Sequence, residues 1–216
     1  MLLGVVLLYV GAVLAVNGIW LIGQARAAAA AKSAGPATVS EAASGQELGG
    51  AQVATVARAE RSPAFIQNRE VAVLNIFTGF VGVVAAVTLL IEGNRSGDLS
   101  SVRAGGFILL FAFTYLWVSI NQFLNAGGRA FGWYCLFVAV TAIPAGIFTL
   151  QAADGNAATI WLGINWFAWA VLWGMFWALL TFDLPIARIT GIVAILEGLG
   201  TSWALAIAIL EGKLAF

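Results

Sequence analysis

The fold class predicted from the sequence is an all-α membrane protein, a bundle of six transmembrane helices. Three observations predict it. Of 216 residues, 62% are apolar and only 9% charged, whereas a soluble domain carries about 25% charged residues. Six separate stretches are long enough to cross a hydrocarbon core about 30 Å thick, which takes about 20 apolar residues in helix. Nearly all ionisable side chains fall between these stretches or at their ends. A surface so poor in charge must be solvated largely by lipid. The whole chain, 1–216, reads as a single six-helix domain.

The first span covers 2–24. An alanine-rich segment follows it, as after a secretory leader, but it has no basic n-region. Its apolar run also exceeds the roughly 7–15 residues of such a leader, so it reads as a retained helix. The second span, 71–91, stops at Glu92-Gly93-Asn94. The third, 105–124, stops at Ala126-Gly127-Gly128, and the fourth is 131–151. The fifth, 159–182, ends at Asp183-Leu184-Pro185, and the sixth is 185–210. Gly and Pro punctuate these connections. The segment 25–68 is the one polar stretch of any size. Its alanine run 27–31 can carry the first helix a turn or two further. The rest holds too few large apolar side chains to offset ordering entropy, so it is expected to be a flexible loop. A partner-binding role for it stays open.

Charge orients the bundle. The connections after spans one, three and five hold Arg26, Lys32, Arg58, Arg61, Arg69, Arg129 and Arg188; the other side holds Arg95, Arg103 and Lys213. Positive residues stay on the cytoplasmic side, so both termini are expected outside and the loop 25–68 in the cytoplasm.

Several function classes are excluded. Net charge is zero and there is no basic run, which argues against a nucleic-acid partner. The chain has no histidine and one cysteine, Cys135. Histidine triads, histidine pH sensors, cysteine metal clusters and an intrachain disulfide all fall away. There is no glycine-rich phosphate loop, and no nucleophile, base and orienter can be assembled. Neither an enzyme, a cofactor nor a metal is expected.

Glu197 is the acid that stands out, near the middle of the sixth span. A charge at the bilayer centre costs about 2.5–3.5 kcal/mol on insertion scales, and such residues usually face a cavity or a partner. No basic residue lies at similar depth. Glu197 reads as a polar station on a solute path, as an acceptor or in protonated form; a carboxylate tying helices together is the plainer alternative. Trp166, Trp169, Trp173 and Trp177 share one face of the fifth span. They cover roughly 16 Å of helix, too deep for an interfacial belt of the kind that suits Trp20, Trp133 and Trp161. Membrane helix contacts favour small residues, so the stripe points to a pore wall, with bulky helix packing as the plainer alternative. On the third span Phe113, Trp117 and Asn121 repeat at one-turn spacing, and on the first Val10, Leu14 and Asn17 do the same. Asn17 needs a partner or a wet cavity. Asn165 and Thr201 are further polar candidates. Gly4, Gly11 and Gly18, with Gly191, Ala194 and Gly198, look like close helix contacts.

Jointly these stretches resemble the UreI/AmiS family of bacterial urea channels and short-chain amide channels. The resemblance rests on Leu7-Leu8-Tyr9-Val10-Gly11 with Asn17-Gly18, on Phe113-Thr114-Tyr115-Leu116 with Ile120-Asn121, and on Trp133-Tyr134 with Leu136-Phe137-Val138-Ala139 and Pro144-Ala145. It continues through Trp166, Ala168-Trp169 and Val171-Leu172-Trp173, and ends on Ile195-Leu196-Glu197-Gly198 with Thr201 and Trp203. It implies a multi-pass protein of the bacterial cytoplasmic membrane. Each protomer would have its own pore in a ring, typically a hexamer, that passes urea or small neutral amides passively. By motif position it implies an inner constriction of Phe113, Trp117, Trp169 and Trp173. An outer one would involve Val10, Leu14, Trp166 and Leu172, with Glu197 and Asn17 near the path between them. Three departures stand out. Acid-gated members carry histidines in their outer loops and this chain has none, which puts histidine gating in doubt. Trp117 stands where urea channels tend to have Tyr, and Leu162 where Trp can occur. The first loop is also longer. A proton-coupled small-solute transporter using Glu197 is the rival reading, and a structural membrane protein without a pore is a third.

Overall fold

The computed structural model describes residues 2–33, 62 and 65–216. Its helices are α1 (Leu2–Ser33), α2 (Asn68–Ser96), α3 (Leu99–Leu124), α4 (Arg129–Gln151), α5 (Ala157–Phe182) and α6 (Ala187–Leu210). All six are long and apolar enough to span a bilayer. The chain is a multi-pass membrane protein, as its composition requires.

Helix ends follow local chemistry. The Glu70 carboxylate accepts from the Gln67 N–H at 2.8 Å at the start of α2. Asp98 caps α3, accepting from the backbone N–H groups of Ser100 at 2.9 Å and Ser101 at 3.3 Å and from both serine hydroxyls at 2.6 Å. Asn156 caps α5 by accepting from the Thr159 N–H at 2.9 Å. These are the side-chain oxygens that suit orphan N–H groups at a helix start. Gly97, at φ 72°, separates α2 from α3, a left-handed conformation that glycine adopts without a Cβ penalty.

Three boundaries differ from the sequence expectation, one being the start of α3 at Leu99 rather than at 105. Glu92-Gly93-Asn94 is no turn: α2 runs through it to Ser96. Gly93 is there for contact, since a Cβ on it would come within 2.8 Å of the Asp98 carbonyl oxygen and of Val102. The first helix likewise runs through 25–33, residues assigned above to the loop apart from the alanine run. Most of the expected flexible segment lies outside the described residues.

Helices adjacent in sequence are adjacent in space. α2 lies along α3 and α4 along α5; α1 sits between α2 and α6, so the six close into a ring. The α1–α6 contact is built on small residues. A methyl group on Gly18 would strike the Gly191 carbonyl oxygen, and one on Gly11 would sit 2.9 Å from the Gly198 carbonyl oxygen. Only hydrogen at these Cα positions permits so close an approach, and dispersion over the crossing is the gain. The glycine and alanine faces expected from the sequence are thus real contacts.

One irregularity matters for the site. Within α6 the segment Gly198–Trp203 is a π-helix. There the Ala204 N–H bonds the Leu199 carbonyl, five residues back. Such turns put an extra residue into a helix and are frequent at functional sites.

Candidate functional site

Five helices, α1 to α5, line a cavity of about 240 Å³ inside the bundle. Leu7, Val10 and Leu14 of α1 line it, facing Phe107, Phe111 and Tyr115 of α3 and Trp166, Trp169, Leu172 and Trp173 of α5. Ser100 and Arg103, in the first turns of α3, lie at the end of it near the N-terminal end of α1. A second space of about 20 Å³ continues toward the opposite face, lined by Asn17, Trp20, Thr114, Val118, Phe131 and Phe176. Leu14, Tyr115 and Trp173 border both. They form the waist between the two.

Aromatic rings make the wall. Phe111 touches three indoles, with ring centroids 5.3 Å from Trp166, 5.4 Å from Trp169 and 5.9 Å from Trp173. Phe107 meets Trp166 edge-on at 5.1 Å, and Trp166 meets Trp169 the same way at 5.4 Å. Edge-to-face pairs set the positive rim of one ring against the negative face of another, so the wall is held in shape. The Nε1 atoms of Trp166 and Trp173 are buried without a hydrogen-bond partner. These are donors unused within the protein.

The residues singled out in the sequence divide into groups. Val10, Leu14, Trp166, Trp169, Leu172 and Trp173 come together on the main cavity. Asn17 lines the smaller space, and its partner is Asn75 of α2. The Asn17 Nδ2 donates to Asn75 Oδ1 at 3.1 Å and the Asn75 Nδ2 returns a bond to Asn17 Oδ1 at 2.7 Å.

Phe113 and Trp117 line neither space. Phe113 is 46% exposed on the outer surface of the bundle. Trp117 packs on Phe131 and Tyr134 of α4 at 5.8 and 5.5 Å. The α3 aromatics that line the main cavity are Phe107, Phe111 and Tyr115, not Phe113 and Trp117. Residues two apart on a helix face nearly opposite ways, which separates Phe111 from Phe113. Trp177 also leaves the stripe, packing on Trp133 at 6.0 Å and Phe182 at 5.3 Å.

Glu197 is 9% exposed and is the one charged residue buried among the described residues. Its Oε2 has no hydrogen-bond partner. It lines neither space, and it lies within electrostatic reach of the buried Tyr115 phenol at the waist. Among the described residues the ion pair is Arg129–Asp183 at 3.6 Å, which is exposed and remote in sequence from Glu197.

Comparison with known proteins gives this geometry a context. Residues 64–213 match the sequence profile of the AmiS/UreI family transporters. A protein from Mycolicibacterium smegmatis named as a transporter of amidate substrates is 35% identical over 141 residues; the match covers 65% of this chain and 63% of that protein's length. A transporter protein of Rhodococcus erythropolis named AmiS2 is 30% identical over 208 residues, 96% of this chain and 78% of that one. The acid-activated urea channel of Helicobacter pylori strain J99 is 30% identical over 164 residues, 64% of this chain and 82% of that one. Two solved structures superpose along the chain. The crystal structure of the urea channel from the gastric pathogen H. pylori gives a TM-score of 0.70 at 26% identity, with both chains covered in full. The electron cryomicroscopy structure of that channel in a closed state gives 0.72 at 27%, covering 99% and 100%. The six helices, the aromatic cavity and the match over 64–213 lead to one assignment: this chain belongs to the AmiS/UreI family of transporters.

Proposed function

We propose that the protein is a passive channel for urea or short-chain aliphatic amides, with a pore inside each protomer. The observation that carries this is the aromatic-lined cavity, separated from a second space by a waist of Leu14, Tyr115 and Trp173 and lined by two tryptophans whose indole N–H groups have no partner. Moving an amide into an apolar region without hydrogen bonds costs roughly 2–7 kcal/mol. The Trp166 and Trp173 indoles can donate to a solute carbonyl and offset part of that cost. Flat ring faces admit a planar solute and exclude bulky ones. An ion faces a Born penalty of order 20 kcal/mol in a medium of low dielectric and is rejected. Binding stays weak, as conduction requires.

Glu197 belongs to this path in the proposal. Its Oε2 becomes an acceptor for a solute NH₂ group once the waist opens. Asn17 serves the far side of the waist. Further parts of the proposal are an assembly of protomers in a ring, a hexamer by resemblance, in the bacterial cytoplasmic membrane. Both termini lie outside, and the segment 25–68 is on the cytoplasmic side. The rival, proton-coupled reading finds no second buried acid beside Glu197 among the described residues.

Stopped-flow permeability of proteoliposomes to urea, acetamide and propionamide tests the proposal. Faster entry than into empty liposomes, without a proton gradient, is the expected result. No excess rate for any of the three, or uptake that needs a gradient, would sink it. Glu197→Gln is expected to lower urea permeability about tenfold or more, as loss of a charge-assisted hydrogen bond does. An unchanged rate in that variant would remove Glu197 from the path and leave the channel standing.

A further inference from the structure

Three tryptophans line the main cavity, and their indole nitrogens are not used alike. Those of Trp166 and Trp173 have no partner. That of Trp169 donates to the Thr201 hydroxyl at 2.9 Å. Thr201 lies inside the π-segment of α6, and its hydroxyl in turn donates to the Glu197 carbonyl oxygen at 2.6 Å. The Ser202 hydroxyl stands 3.3 Å away. The Thr201 carbonyl oxygen accepts from the Asn165 Nδ2 at 2.6 Å. Asn165 is one turn before Trp169 on α5 and is almost fully buried, as is Trp169.

The π-segment and the side chains around it are joined by hydrogen bonds. The Asn165 amide donates to the Thr201 carbonyl oxygen and ties α5 to α6 at this level. The Thr201 hydroxyl then has a lone pair facing α5, and the Trp169 indole takes it. With its N–H bonded to Thr201 and its ring edge-on to Phe111 and Trp166 at 5.4 Å each, Trp169 is fixed from two sides.

From this geometry we infer that Thr201 and Asn165 are positioning residues for solute selection. Acting through the π-turn, they hold the Trp169 indole in one orientation and so set the width of the aromatic passage. Neither residue lines the cavity. The division of labour is physical: an indole whose N–H is spent is a fixed wall, and the two with free N–H groups are the donors. The inference rests on the channel reading above.

Permeability ratios of the full chain in liposomes test it. Thr201→Val keeps the shape of the side chain and removes the hydroxyl. It is expected to shift the propionamide-to-acetamide ratio by about threefold or more, within what one methylene commands in a tight pocket. Thr201→Ser restores the hydroxyl and is expected to restore the wild-type ratio. Trp169→Phe, which keeps a ring and lacks the donor, should shift the ratio too, and adding Thr201→Val to it should change nothing further. It also supplies the answer if Thr201→Val fails to insert. A wild-type ratio in Thr201→Val or in Trp169→Phe, with amide flux intact, overturns the inference. Absence of flux in the wild-type protein overturns the channel reading instead.

Discussion

Phe111 and Phe113 are two residues apart on α3 and have opposite surroundings. Phe111 touches three indoles of α5, whereas Phe113 points out of the bundle. Two aromatic repeats run along this helix at one-turn spacing, 107–111–115 and 113–117. Either could face a pore, because periodicity identifies faces without saying which face turns inward. Truncation distinguishes them. Phe111→Ala is expected to raise the propionamide-to-urea permeability ratio about fivefold or more by widening the aromatic passage. Phe113→Ala should leave that ratio at its wild-type value in the same stopped-flow assay. Asn17 shows the same limit from the polar side. Its need for a partner is legible in the sequence, since a buried amide without hydrogen bonds is costly. That the partner is Asn75 becomes visible only once α1 and α2 are packed.

At the scale of the helix, glycines do two jobs that a sequence pattern does not separate. Gly18 lies at the α1–α6 crossing against Gly191, while Gly106 on α3 has no atom near its Cα hydrogens. Gly18→Ala is therefore expected to destabilise the protein by about 1–3 kcal/mol through overpacking. Gly106→Ala should instead stabilise by about 0.5–1 kcal/mol through helix propensity. Thermal unfolding in detergent would show the two melting temperatures moving in opposite directions. The α3 start offers a pH test. Four hydrogen bonds from Ser100 and Ser101, chiefly those of their hydroxyls, hold the Asp98 carboxyl down at about 2, from 3.8. A carboxyl pKa lowered by folding adds stability that is fully present above 3.8 and is lost as pH falls through about 2. The melting-temperature difference between wild type and Asp98→Ala should thus be constant above pH 4 and close toward pH 2. A difference that closes already near neutral pH would contradict the cap.

Across the whole molecule the helices close into a ring, and polar residues at opposite ends of the two internal spaces define two faces. The end that carries Ser100 and Arg103 opens outward under the proposed orientation. In a Cys135→Ala background, a cysteine at Ser100 should react with a membrane-impermeant maleimide in intact cells. One at Gly127, in the α3–α4 connection, should react only after lysis. The reverse pattern would invert the assigned topology. The existence of six spans, their order, the small-residue faces of α1 and α6, the tryptophan stripe and the isolation of Glu197 were all legible in the sequence. Each depends on local composition, or on the 3.6-residue period within one helix. Tertiary structure decided what depends on relations between helices: that α6 closes on α1, that Phe111 faces the tryptophans, and that Trp177 leaves the wall. It also decided that a π-turn brings Thr201 to Trp169 and Asn165. The physical reason is that lipid and protein interior are about equally apolar. Hydropathy, which separates inside from outside in a soluble protein, cannot tell a lipid-facing ring from a cavity-facing one; only packing between helices can.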